Sequence, residues 1–259
     1  MLKKRLIGVV TVKDGWAVQS FGYRRYLPLG KPEWLVENLD RWGADEILVQ
    51  CIDRSPRQAG PDFALLEKLG AMGLGTPLIY GGGIASVEDG IKVIQAGADR
   101  IALDSLLHDA LRVLDALGQQ LGLQALVAVA PLRRQEDGVK WHDYRSRCDL
   151  PLAALARVLE YGLASELLVI DCEHEGQEAG FDPRLLDALP DWNMPVLAFG
   201  GISQVAQIRS LLARPGVAAV GIGNFLSYRE LAIQQFKKTL ASSELRPALY
   251  ASDHPQAVQ

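Results

Sequence analysis

Cysteine is scarce in this chain: three residues, Cys51, Cys148 and Cys172, in 259. They are odd in number, widely spaced and form no paired motif. That argues against a disulfide framework and against a structural zinc site, and it leads to the expectation of reduced thiols in a cytoplasmic protein. Long apolar runs are missing too. No stretch approaches the roughly 18 residues of a membrane span, and the apolar part of the opening "LKKRLIGVV" is too short for a secretory core plus cleavage site. There is no basic block either. Lys and Arg number 27 against 31 Asp and Glu, a net charge of −4, which argues against a nucleic-acid partner.

What is abundant is short, evenly spaced apolar sequence. Hydrophobic residues make up 49% of the chain, enough for a sizeable core in one large α/β domain or two ordinary ones. Eight β-type runs recur: "RLIGVVT" (5–11), "EILVQCI" (46–52), "PLIY" (77–80), "RIALD" (100–104), "QALVAVA" (124–130), "ELLVID" (166–171), "PVLAF" (195–199) and "AVGIG" (219–223). They are nearly continuous rather than alternating, as strands buried on both faces should be. Amphipathic stretches lie between them, such as 32–43, 86–97 and 151–162, often closed by glycine. Eight β-then-α units in about 250 residues is the arithmetic of a closed (β/α)8 TIM barrel, an α/β fold, with an open doubly wound sheet as the alternative. A single barrel is expected over 1–240, followed by an irregular C-terminal tail at 241–259.

The chain also repeats itself. "ADEILVQCIDRSPRQAGPDFALLEKL" (44–69) lies over "ASELLVIDCEHEGQEAGFDPRLLDAL" (164–189), so that Glu46 meets Glu166, Gly60 meets Gly180 and Asp62 meets Asp182. This implies two duplicated half-barrels, at about 1–122 and 123–240. Each half has two open edges, and closing on the other half satisfies them. The third strand of each half ends in a glycine turn, Gly82-Gly83 and Gly200-Gly201. Both turns would open on the C-terminal rim, where barrel active sites lie. Glycine lets backbone N–H groups approach an anion. Asp104 and Ser105, and Gly223 and Asn224, end the following strands and could complete two phosphate cradles. The alternative is that the glycines only make tight turns. Two copies in register favour binding, with the reservation that a carboxylate at Asp104 opposes a phosphate dianion.

These residues are similar to those of the cyclase subunit of imidazole glycerol phosphate synthase, the HisF family. The matching segments are "KKRLIGVVTVKDGWAV", "GADEILV", "YGGGI", "GADRIALDS", "IDCEHEGQEAGFD", "FGGI" and "FLSYRE" (225–230), over about residues 1–240. The Tyr before the triple glycine and "RYLPLGKPEW" in the first loop resemble paralogues of O-antigen and related sugar pathways. The resemblance implies a (β/α)8 barrel with no cofactor and no metal, docked through its N-terminal face on a glutaminase subunit. Ammonia from that partner would cross the barrel to a bisphosphate substrate. The family's ring of four gate residues falls on Arg5, Glu46, Arg100 and Glu166, with one Arg where Lys is usual. Its docking aspartate falls on Asp99. Four bottom-face salt bridges that only stabilise the barrel are the plainer alternative.

The top of the barrel departs from the family. Its two catalytic aspartates fall on Thr11 and Pro131, and a loop lysine falls on Gln19. A hydroxyl of high pKa and a proline cannot do general acid–base work near neutrality unaided. The remaining candidates are Thr11 itself and the acidic run Asp171, Glu173 and Glu175, which would share one face if the strand continued through "DCEHE". Asp53, Arg54, Lys13, Asp14 and His174 lie near the same rim. Two readings follow: an ammonia-using synthase subunit acting on a phosphorylated substrate with a glutaminase partner, or a barrel without activity of its own that binds and activates the glutaminase. An ordinary histidine-pathway cyclase with altered catalytic residues is a third.

Overall fold

The computed structural model describes residues 3–190, 194–228, 232–240 and 245–247. In chain order the elements are β1 (Arg5–Lys13), β2 (Trp16–Phe21), β3 (Arg25–Gly30), α1 (Pro32–Arg41), β4 (Glu46–Cys51), α2 (Phe63–Ala71), β5 (Leu78–Gly81) and α3 (Val87–Gln95). They continue with β6 (Arg100–Leu103), α4 (Ser105–Asp109), α5 (Leu111–Leu121), β7 (Leu126–Gln135), β8 (Gly138–Asp143), β9 (Cys148–Pro151), α6 (Leu152–Leu159) and β10 (Glu166–Asp171). The last are α7 (Arg184–Asp187), β11 (Val196–Phe199), α8 (Val205–Leu212), β12 (Val217–Ile222) and α9 (Ala232–Leu240).

Eight of these strands pair in parallel around a closed ring, β1-β4-β5-β6-β7-β10-β11-β12, with β12 returning to β1. The eight apolar runs are these eight strands, shifted by a few residues at their ends. The fold is a (β/α)8 TIM barrel. The expected tail falls largely on residues 241–244 and 248–259, which lie outside the described residues.

The near-continuous apolar runs are explained by two cores. Leu6, Val10 and Val12 of β1 face outward into the layer between sheet and helices, while Ile7 and Val9 face inward. The inner core gathers alternate residues from the barrel strands, including Leu48, Ile79, Val127, Val129, Leu168, Leu197 and Phe199. Each such side chain buried completely contributes about 1.5–3 kcal/mol relative to exposure. Local signals set the helix ends. Pro32 opens α1, which carries Glu33 in its first turn and Arg41 in its last. Ser86 and Asp89 form a reciprocal capping box at α3: the Asp89 N–H donates to Ser86 Oγ at 3.1 Å, and the Ser86 N–H donates to the Asp89 carboxylate at 3.1 Å.

Each half carries an excursion that the apolar pattern does not announce. β1 runs on past the barrel into the antiparallel β2 and β3, and β7 does the same into β8 and β9. Asp14 (φ 51) and Gly15 (φ 76) make the first turn with two positive φ angles, the geometry an Asp-Gly pair favours in a two-residue hairpin. The second turns at Glu136 and Asp137 and places Gly138, the first residue of β8, at φ 121. Both hairpins fold back over the C-terminal mouth of the barrel.

Candidate functional site

At the centre of the mouth the two halves meet through tyrosines. Tyr23 from the first hairpin and Tyr144 from the second lie edge to face, with ring centroids 5.3 Å apart. Beneath them Gln50 Nε2 donates to Thr11 Oγ1 at 2.7 Å and lies 3.1 Å from the Tyr23 hydroxyl. Burial pushes both phenols well above their usual range, and for Tyr23 the Glu175 carboxylate adds to that. Thr11 is therefore a buried hydroxyl held by an amide, and Pro131 sits at the corresponding end of β7 with no side-chain function. The strand ends where a carboxylate pair would be expected to work have none.

The acidic run does not converge as the strand pattern suggested. β10 ends at Asp171, so the period of two stops there. Asp171 is 1% exposed; its carboxylate accepts from the N–H groups of Glu173, His174 and Asp182, and lies 2.8 Å from His174 Nδ1. It organises the turn. Glu173 points outward, 42% exposed, and pairs with Arg133 at 3.3 Å. Glu175 turns back under the first hairpin, where it accepts from Ser20 Oγ at 2.8 Å and from the Tyr23 N–H at 3.2 Å. Burial raises the pKa of Glu175, against the opposing pull of Ser20 and the hairpin N–H groups. Three carboxylates within five residues thus do three different jobs.

On the rim after β1 and β4, Arg57 bridges Asp14 and Asp53, and Lys13 also pairs with Asp14. Arg54 donates to the carbonyls of Ala59, Gly60 and Pro61 and so ties its own loop. Gln19 is buried in β2.

The twin glycine corners have matching backbones: φ 129 and 76 at Gly82 and Gly83, φ 112 and 72 at Gly200 and Gly201. A Cβ at Gly82 would lie 2.3 Å from the Cys51 carbonyl oxygen, and one at Gly83 would lie 2.2 Å from that of Gly60. At Gly200 and Gly201 the clashes are with the carbonyls of Asp171 and His174, at 2.6 and 2.5 Å. Glycine is thus required by the packing of each corner on the loop of the preceding unit, whatever the corner binds.

The corners open into two separate cavities. The larger, about 850 Å³, includes Gly82, Gly83, Asp104 and Ser105, and reaches the barrel centre at Leu48, Val129 and Pro131. Six Lys or Arg residues line it (Lys13, Arg24, Arg57, Arg133, Arg145, Arg147), together with two carboxylates, Asp53 and Asp104. The smaller, about 690 Å³, includes Gly201, Ser203, Gly223 and Asn224. The tip of the first hairpin stands between them. Asn224 clamps it, accepting from the Ser20 N–H at 3.1 Å and donating to the Ser20 carbonyl at 2.6 Å, and the Gly22 N–H donates to the Glu175 carbonyl at 2.9 Å.

Sequence reasoning missed a cluster behind the first corner. His108 of α4 stacks on Trp141 of β8, with centroids 3.9 Å apart and planes 13° off parallel, and its Nε2 lies 3.4 Å from Asp104 Oδ1. The wide gap in sequence between His108 and Trp141 gave no signal. Among the described residues no group of three or more His, Cys, Asp or Glu could hold a metal ion, and no helix is long and apolar enough to cross a membrane.

At the opposite, N-terminal end the four charges predicted there close a ring. Arg5 pairs with Glu46 at 2.9 Å and with Glu166 at 2.5 Å; Arg100 pairs with Glu166 at 2.6 Å and with Glu46 at 3.5 Å. The four side chains are 7–13% exposed. Burial alone would lower the pKa of Arg5, but the two carboxylates more than offset it and hold the guanidinium charged. Asp99 is exposed on the same face, one carboxylate oxygen accepting from the Leu78 N–H at 2.7 Å.

A model of the histidine biosynthesis protein family matches residues 5–232. Similar proteins include an imidazole glycerol phosphate synthase subunit HisF of Bacillus cereus (strain G9842), 28% identical over 255 residues, which covers 96% of this chain and all of that one. The subunit HisF of Natranaerobius thermophilus is 26% identical over 244 residues, 93% of this chain and 97% of the relative. A Vibrio vulnificus (strain YJ016) protein provisionally named imidazole glycerol phosphate synthase subunit hisF2 is 28% identical over 252 residues, 96% and 92% of the two chains.

Proposed function

This chain belongs to the histidine biosynthesis protein family, and on that footing we propose that it is a HisF-like cyclase-type subunit, an enzyme of the lyase and synthase kind that joins ammonia to a phosphorylated substrate at the C-terminal mouth of the barrel. The observation that carries the reading is the closed ring of Arg5, Glu46, Arg100 and Glu166 at the bottom of a barrel whose interior is apolar up to the mouth. Such an interior admits neutral ammonia and penalises ammonium, because an unpaired charge is costly to bury. The ring serves as the gate, and the exposed Asp99 beside it serves as a docking point for a glutaminase partner.

In this proposal the substrate's phosphate sits at the corner of Gly200, Gly201, Gly223 and Asn224, and the cavity lined by Gly82, Gly83, Asp104 and Ser105 takes its other end. Proton transfer is the step that has diverged. Thr11, Asp171 and Glu175 are committed to internal hydrogen bonds and Glu173 is turned outward onto Arg133, so none of the predicted set stands free at the mouth.

The test is reconstitution with the glutaminase encoded by a neighbouring gene. A stable complex, faster glutamine hydrolysis and ammonia-dependent consumption of a phosphorylated substrate are expected. No complex and no stimulation would overturn the proposal. A second reading, a barrel that activates a glutaminase without turnover of its own, is favoured by the tyrosine-filled centre with no carboxylate at Thr11 or Pro131. It predicts complex and stimulation with no substrate consumed. Rescue of a histidine auxotroph lacking the cyclase would instead assign the ordinary pathway reaction.

A further inference from the structure

The two corners are built alike but do not carry the same chemistry. The ladder pairs Leu103 of β6 with Ala128 of β7, and Ile222 of β12 with Gly8 of β1. Since β7 repeats β1, Leu103 and Ile222 are equivalent, so Asp104 stands where the second half has Gly223, and Ser105 stands where it has Asn224. At the second corner that position has no side chain. At the first it holds a carboxylate.

The carboxylate is placed to meet a ligand. Asp104 lines the larger cavity, 29% exposed, while its Oδ1 is buried without a hydrogen bond and faces the His108 ring, itself only 5% exposed. Around it stand His108 on its own helix, Asp143, Tyr144 and Arg145 on the second hairpin, and Cys172 after β10. Four of the six cations that line the cavity are already held by other carboxylates, Lys13 by Asp14 and Arg57 by Asp14 and Asp53 among them. Arg145 is held by Asp109 and Asp143, and Arg133 by Asp149 and Glu173. The Gly83 N–H is already spent on Ser55 Oγ at 2.9 Å. A phosphate dianion at this corner would face a carboxylate and lack one of the donors the glycine turn was to supply. Burial already pushes the Asp104 pKa up, and the anion would force the group to take up a proton before binding.

We propose that the corner of Gly82, Gly83, Asp104 and Ser105 receives a hydrogen-bond-donating end of the substrate, hydroxyls or an amine, and that the substrate carries phosphate only at the Gly201–Asn224 corner. This rests on the reading above that a phosphorylated substrate binds at the mouth, and it narrows that substrate from a bisphosphate to a monophosphate with a polyhydroxy or amino end.

Backbone amide NMR of the full chain, titrated with inorganic phosphate and separately with glucosamine, tests it. Phosphate is expected to shift Gly201, Gly223 and Asn224 and to leave Gly82, Gly83 and Ser105 in place. Asp104→Asn, which keeps the side-chain shape, is expected to gain phosphate binding at the first corner by at least about tenfold and to weaken glucosamine there by a similar factor. Asp104→Gly, copying the second half, gives the same readout, and each variant's own amide spectrum reports that it is folded. Phosphate shifts at the first corner of the wild type matching those at the second, no gain in either variant, or no response of that corner to glucosamine would overturn the assignment. Silence at the second corner would overturn the phosphate half of the assignment, and with it the phosphate placement proposed above, even with the gain at the first corner still seen in the variants.

Discussion

Glu175 shows how one residue's burial becomes a property of the whole protein. Its folded pKa lies above the ordinary carboxylate value of about 4.3 because burial outweighs the donors from Ser20, Gly22 and Tyr23. A carboxyl of this kind binds its proton more tightly when folded. Its contribution is whole below that ordinary value and is lost as pH rises through the raised folded value. Stability should therefore fall with rising pH over that window. Glu175→Gln, which keeps an acceptor for Ser20, should flatten the fall, and urea midpoints at pH 4.5 and 8 would show it. Unchanged pH dependence would mean that Glu175 is solvated. None of this was legible in "DCEHE", because the sequence shows three acids in alternation but not that the strand stops at the first of them.

Elements tell the same story one level up. The eight barrel strands were legible because burial on both faces leaves an unmistakable apolar run. The hairpins were not, because β3 is half exposed and carries no alternation, although Asp14-Gly15 marked the first turn. Asn224 was read as a phosphate donor, and the structure shows it also clamping Ser20. Asn224→Ala removes two hydrogen bonds, about 1–2 kcal/mol in sum, and should speed hydrogen exchange across β2 and β3 by roughly 5–30-fold while β5 and β6 keep their protection. The glycine corners are more demanding. Gly83→Ala combines a left-handed φ with a Cβ 2.2 Å from the Gly60 carbonyl oxygen, and should cost about 3 kcal/mol or more, read as a lowered denaturation midpoint. An exposed turn with positive φ, such as Gly15 with nothing within 4 Å, should tolerate alanine at about 1–2 kcal/mol.

Across the whole molecule, the ring of Arg5, Glu46, Arg100 and Glu166 joins strands from both halves. Arg5→Ala leaves two buried carboxylates sharing one guanidinium and should destabilise by about 3–5 kcal/mol. Adding Glu46→Leu removes one of the orphaned acids, so the double variant should cost less than the sum of the singles, a comparison chemical denaturation makes directly. The four residue types were legible only through the 120-residue repeat, which sets Glu46 over Glu166, and through the family resemblance; their mutual pairing needed the closed barrel.

Going around the barrel, the charges alternate in sign: plus on β1, minus on β4, plus on β6, minus on β10. That order has no monopole and, for a square, no dipole, so its potential is quadrupolar and dies away within a few ångströms. An approaching macromolecule would not feel it, and the salt dependence of its association rate should be unchanged when all four ring charges are reversed in sign together, whereas neutralising the outlying Asp99 should alter it.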